Sequence, residues 1–131
     1  MLIVDDNAMN IAIAEVVLLA EKFAVETAVD GLDAIQKVAS FGPDLILMDI
    51  QMPGMNGLEL TRQVKADPAT RHIRIIAFTA FAMTGDEAKM RAAGCDGYLS
   101  KPIDVAKFGA QVLAFLQVTT NDVPGKFRTA G

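Results

Sequence analysis

Short apolar runs and amphipathic stretches alternate along the whole chain. Leu2-Ile3-Val4 reads as a strand, and Ala8 to about Lys22 as a helix whose apolar stripe is Ile11, Ala14, Val17 and Leu18. Ala24–Ala28 is a second strand, shorter and more polar, as suits a sheet edge. Leu32–Phe41 is a second helix, started by Asp30-Gly31 and stopped by Gly42-Pro43. Asp44–Met48 has the continuous apolar character of a central strand buried on both faces. Pro53, Gly54 and Gly57 mark a loop, and Asn56-Gly57-Leu58-Glu59 opens a third helix that runs to about Ala66, before Pro68. Arg74–Phe78 is the fourth strand. Thr84-Gly85-Asp86-Glu87 opens a short helix ending at Gly94, Gly97–Ser100 is the fifth strand, and Val105–Gln117, capped by Asp104, is the last helix.

Strands alternating with helices in this way specify an α/β fold, a doubly wound parallel sheet covered on both faces. Right-handed crossovers with one reversal of winding put its five strands in the order 2-1-3-4-5. From Val118 onward Thr, Asn, Gly and Pro dominate. Residues 1–117 are therefore expected to form the domain, and 118–131 a flexible tail or linker stub.

Composition narrows the function classes. A chain of 131 residues suits one domain, and 52% hydrophobic residues with 6% aromatics and no Trp imply an interior of Ile, Leu, Val, Met and Ala. Net charge of −4 argues against a nucleic-acid-binding surface, and Lys126 with Arg128 is too small a basic cluster to reverse that. Cys95 is the single cysteine, so an internal disulfide is impossible and a reducing compartment is expected. Within Gly94-Cys95-Asp96-Gly97 it reads as a small buried packing residue. No signal peptide precedes the first strand and no apolar run approaches membrane-spanning length, so the expected location is cytoplasmic, with no membrane partner.

Polar residues end four of the strand-like runs. Asp5-Asp6 follows Leu2–Val4, Asp49 follows Leu45–Met48, Thr79 follows Ile75–Phe78, and Lys101 follows Gly97–Ser100. In a parallel sheet all of them lie on the carboxyl edge, and the winding reversal opens a crevice there between strands one and three. Three carboxylates at close range call for a compensating cation, and oxygen-only ligands favour Mg²⁺. Asp49 is then a candidate nucleophile able to take a phosphoryl group as a mixed anhydride. Lys101 and the cation would offset the transferred charge, and Thr79 could hydrogen-bond a phosphoryl oxygen. Singly, each residue has a plainer reading as a helix cap, turn residue, strand end or solvated lysine. Their coincidence at consecutive strand ends outweighs those readings. Asn7 and Asn10 read only as local helix-start residues.

Two enzyme-like or ligand-binding alternatives fit less well. A Mg²⁺-dependent phosphohydrolase with an Asp nucleophile needs a second acid two residues on, where Gln51 stands. A flavin- or nucleotide-binding domain of similar topology would carry Gly, Ser or Thr after its first strand, where Asp5-Asp6 would repel phosphate.

Over residues 2–117 the chain resembles a response-regulator receiver domain of the CheY-like superfamily, with its flavodoxin-like (βα)5 fold. The likeness rests on Asp5-Asp6, Met48-Asp49-Ile50-Gln51-Met52-Pro53-Gly54, Thr79-Ala80, Tyr98 and Lys101-Pro102, with thirty positions from Asp49 to Thr79 and twenty-two from Thr79 to Lys101. The stretch 81–87, with Gly94-Cys95-Asp96, also resembles DivK-like single-domain receivers, and receivers fused to sensor kinases are similar there. The resemblance implies a phosphorelay signalling domain rather than an enzyme, whose own chemistry is Mg²⁺-dependent self-phosphorylation and self-dephosphorylation. Asp49 would accept a phosphoryl group from a sensor histidine kinase or a histidine phosphotransfer protein. Asp5, Asp6, Asp49 and the Gln51 backbone carbonyl would hold Mg²⁺, and Lys101 would pair with the phosphoryl group. Thr79 and Tyr98 would form the switch, Gln51 and Phe81 would tune hydrolysis, and the 84–117 face would bind a downstream protein. The intact site argues against a receiver used purely as a binding module and never phosphorylated; a phosphoryl-mimic titration separates the two.

Overall fold

Complete burial of two strands sets the layering. Every residue of β1 (Leu2–Val4) and β3 (Leu45–Asp49) is buried, which requires cover on both faces of the sheet. The computed structural model describes residues 1–52, 55–79, 84–100 and 104–116. In chain order its remaining elements are α1 (Ala8–Ala20), β2 (Glu26–Ala28), α2 (Gly31–Phe41), β4 (Gln51–Met52), β5 (Met55–Asn56), α3 (Gly57–Ala66), β6 (Arg74–Thr79), α4 (Thr84–Ala93), β7 (Gly97–Ser100) and α5 (Val105–Leu116). The main sheet runs β2-β1-β3-β6-β7 with every pairing parallel, which is the expected 2-1-3-4-5 order of its five strands.

Side-chain alternation along the strands divides the core in two. Leu2, Val4, Ile46, Met48, Ile75 and Ala77 face Ala34 and Val38 of α2, Leu60 and Val64 of α3, and Met90 of α4. Ile3, Leu45, Leu47, Ile76, Phe78 and Leu99 face Ala14 and Leu18 of α1 with Phe108, Val112 and Phe115 of α5. On that second face the rings of Phe78 and Phe108 meet with centroids 6.2 Å apart. The interior is thus aliphatic with a few Phe anchors.

Element ends differ from expectation where tertiary contacts intervene. The second strand begins at Glu26, and the central strand reaches Asp49 rather than stopping at Met48. The first helix stops at Ala20, short of Lys22. Lys22 takes φ of 67°, its N–H donates to the Leu19 carbonyl, and the Phe23 N–H donates to the Leu18 carbonyl. That is a Schellman closure built on lysine, so no Gly or Asn signalled it. The stretch after β3, read as a loop, carries a two-residue antiparallel ladder pairing Gln51 with Asn56 and Met52 with Met55. Residues 118–131 lie outside the described residues. No helix among the described residues is long and apolar enough to cross a membrane.

Candidate functional site

Register brings the acids together. Val4 pairs with Met48, so the next residue of each strand, Asp5 and Asp49, comes out side by side on the carboxyl edge. Winding reverses between β1 and β3, leaving no crossover helix over that gap. One carboxylate oxygen from each of Asp5, Asp6 and Asp49 lies within 4.8 Å of the others. Asp5 is fully buried and Asp49 is 4% exposed, whereas Asp6 stands open to solvent. At that spacing two ionised carboxylates repel by about 3.5 kcal/mol with an effective dielectric constant near 20. A divalent cation removes that penalty. The donor set is hard oxygen throughout, and its exposed member leaves an entry path and room for the waters that Mg²⁺ retains, so these residues fit Mg²⁺.

Asp5 is oriented from the start of α1. Its Oδ1 accepts the Asn7 backbone N–H at 2.9 Å, and its Oδ2 accepts the Asn10 carboxamide N–H at 3.4 Å. Asn7 is the N-cap, its side-chain oxygen accepting from the N–H groups of Met9 (2.9 Å) and Asn10 (3.2 Å). The acidic pair therefore does not cap α1, and Asn10 does more than start a helix. The Asp-x-Asn-x-x-Asn spacing was the available signal, because a helical side chain leans toward the N-terminal turn.

Thr79, 2% exposed, is the last residue of β6 and stands one step beyond Phe78, the register partner of Asp49. Tyr98 pairs with Ala77 on β7 and packs, half-buried, against the core layer of α2, α3 and α4. Since Ala77 and Thr79 share a sheet face, Thr79 and Tyr98 lie on the same side, toward α4 and away from α5. Gln51 follows in β4, two residues past Asp49. Lys101 and Phe81 lie outside the described residues, although the strand that precedes Lys101 ends with Ser100 paired to Thr79.

Gly57 is a contributor that the sequence reading treated only as a loop and helix-start residue. A Cβ at that position would stand 2.3 Å from the Asp49 carbonyl oxygen and 2.7 Å from Ile50 Cα. The first turn of α3 thus rests directly on the backbone of Asp49. Cys95 is buried as expected, and burial pushes its thiol up to about 11. A groove of about 230 Å³ between α2 and α3, lined by Ile35, Val38, Leu60 and Val64, contains none of these site residues.

Residues 1–113 match the family model described as response regulator receiver domain. The chain is 43% identical over 115 residues to the polar-differentiation response regulator DivK of Brucella anthropi, covering 88% of this chain and 94% of that protein. The DivK of Brucella ovis matches to the same extent. Among solved structures, the chemotaxis response regulator CheY4 of Vibrio cholerae superposes with a TM-score of 0.82 at 26% identity, covering 87% of this chain and 95% of that one.

Proposed function

From the premise that the chain belongs to the response regulator receiver family, whose members are signalling domains of two-component phosphorelays, we propose that Asp49 is its phosphoacceptor. One observation carries this reading: the carboxylates of Asp5, Asp6 and Asp49 meet within 4.8 Å at the strand crevice. Of the three, Asp49 alone ends the central strand, next in register to Thr79. Asp5 is engaged at both oxygens by the start of α1, and Asp6 faces solvent.

A carboxylate oxygen of Asp49 attacks the phosphorus of a phosphohistidine on a sensor histidine kinase or a histidine phosphotransfer protein. The new P–O bond forms as the P–N bond breaks, and the imidazole departs with the bonding pair and takes up a proton. Asp5, Asp6, Asp49 and the Gln51 backbone carbonyl would hold Mg²⁺, which when bound offsets the negative charge of the carboxylates and the phosphoryl oxygens. Lys101 would pair with one phosphoryl oxygen and the Thr79 hydroxyl would donate to another. A charge-assisted hydrogen bond of this kind contributes roughly 1.5–3 kcal/mol, enough for about a tenfold to hundredfold shift between two conformations. Drawing Thr79 inward would give the Tyr98 ring room on the same sheet face, altering the 84–117 surface that a downstream protein reads. We assign this exchange to the cytoplasm, in keeping with a chain whose single cysteine packs in the core rather than in a disulfide framework.

Incubation with a small phosphodonor and Mg²⁺, followed by intact-mass measurement, should show one phosphoryl group per chain, lost in Asp49→Asn. Stable labelling of that variant at another residue would sink the assignment. Beryllium fluoride as a phosphoryl mimic should move the amide resonances of Tyr98 and of 84–116. Changes confined to the acidic crevice would defeat the switch while leaving the acceptor intact.

A further inference from the structure

We propose that Asn10 is a positioning residue for Asp5, an inference that rests on the metal-assisted phosphoacceptor reading and deepens it. Three hydrogen bonds close a ring at the start of α1. The Asn7 backbone N–H donates to Asp5 Oδ1 at 2.9 Å, the Asn10 backbone N–H donates to Asn7 Oδ1 at 3.2 Å, and the Asn10 carboxamide donates back to Asp5 Oδ2 at 3.4 Å. A local Asp turn accounts for the first link and helix capping for the second. Neither accounts for the third, because the capped group of Asn10 is its backbone N–H, while its side chain spends its donor on a buried carboxylate.

Asp5 is fully buried, so protein donors and not bulk water decide which way its carboxylate plane turns. One bond to each oxygen fixes that plane relative to α1. These two bonds take two of the roughly four acceptor positions of a carboxylate and bias its orientation. The same plane sets the direction in which Asp5 presents oxygen to the crevice shared with Asp6 and Asp49. Hydrogen-bond partners of ligating carboxylates typically change metal affinity about 10- to 100-fold. At 3.4 Å the Asn10 bond is longer than the usual N–H···O distance, which places the expected effect at the low end of that span, near tenfold.

The test compares Mg²⁺ dissociation constants of wild type, Asn10→Leu and Asp6→Ala by calorimetry, alongside melting temperatures in EDTA. Asn10→Leu should bind Mg²⁺ about tenfold more weakly. It should stay folded in EDTA, since leucine keeps the branched shape of asparagine and favours helix more, which offsets part of the bond lost to the buried Asp5. In wild type, Mg²⁺ should also shift the Asn10 side-chain amide resonances. Unchanged affinity in Asn10→Leu, with loss in Asp6→Ala, would overturn the positioning role and leave the metal site standing. Absence of any Mg²⁺ response in wild type would overturn the site reading itself, and the positioning role with it. Should the leucine variant fail to fold, Asn10→Ala at this half-buried position yields the same constant.

Discussion

Replacing Gly57 by alanine tests whether α3 rests on the Asp49 backbone. The added Cβ would lie 2.3 Å from the Asp49 carbonyl oxygen, 2.7 Å from Ile50 Cα and 3.1 Å from the Asp49 carbonyl carbon. Ordinary contact begins at 3.4 Å, so α3 and β3 must separate by about 1 Å. No rotamer change can relieve the clash, because every contacting atom is backbone. Both sides are also held: Asp49 sits in a buried parallel ladder, and the Gly57 carbonyl accepts the Thr61 hydroxyl at 2.9 Å. Overpacking of this kind destabilises by roughly 1–3 kcal/mol. Alanine recovers about 0.4–1 kcal/mol of that through the smaller freedom of its unfolded chain, since Gly57 is not at positive φ. The net loss is about 1–2 kcal/mol, which for a domain of this size lowers Tm by roughly 4–10 °C. Thermal melts in EDTA measure that loss, and the initial rate of phosphorylation by a small donor should fall with it as Asp49 is displaced. A Tm at or above wild type with an unchanged rate would refute the close approach.

Two further outcomes follow from other parts of the molecule. The Glu26 N–H and the Ala28 carbonyl bond toward β1, which leaves the Thr27 backbone on the outer edge of the sheet. There Lys37 Nζ donates to the Thr27 carbonyl at 3.0 Å and to Glu26 Oε1 at 3.1 Å, holding the Glu26 carboxyl below its ordinary range. Lys37→Met should leave the melting temperature nearly unchanged, as exposed pairs do, yet open the edge to strand pairing. Light scattering should show more concentration-dependent association than wild type; a variant whose association matches that of wild type contradicts the edge role. For Cys95, burial raises the folded thiol from 9.0 to about 11, chiefly by desolvation. The folded chain then keeps a proton that the unfolded chain loses, so this stabilisation is complete below pH 9 and disappears as pH rises through 11. Denaturation midpoints over that window should fall more steeply in wild type than in Cys95→Ala, and parallel profiles would exclude the linkage.

Much of the site was legible because its members end apolar runs. Asp5, Asp49 and Thr79 each sit where a buried strand stops, and strand ends in a parallel sheet share an edge whatever the helices do between them. The first helix was legible from its stripe, with Ala14 and Leu18 buried as their spacing requires. Its end was not, because Lys22 carries none of the conformational freedom that marks a left-handed closure. The ladder between Gln51 and Asn56 was hidden as well, since two-residue strands are too short to show a period.

The sequence by itself determined the fold class, the strand order, the two-layer division of the core and the gathering of acids at one crevice. Fold class and layering follow from burial, which is written along the chain as a local period of apolar residues, and strand order follows from the handedness of the crossovers. Only the tertiary structure decided that Asn10 reaches back to Asp5, that Gly57 touches the Asp49 backbone, and that Tyr98 turns toward α4. Those facts depend on how backbone and side chains settle against one another in space, even where the partners are only five residues apart in the chain, as Asn10 and Asp5 are. A difference of about 1 Å there separates a contact from a clash, and no local pattern of residues records so small a distance.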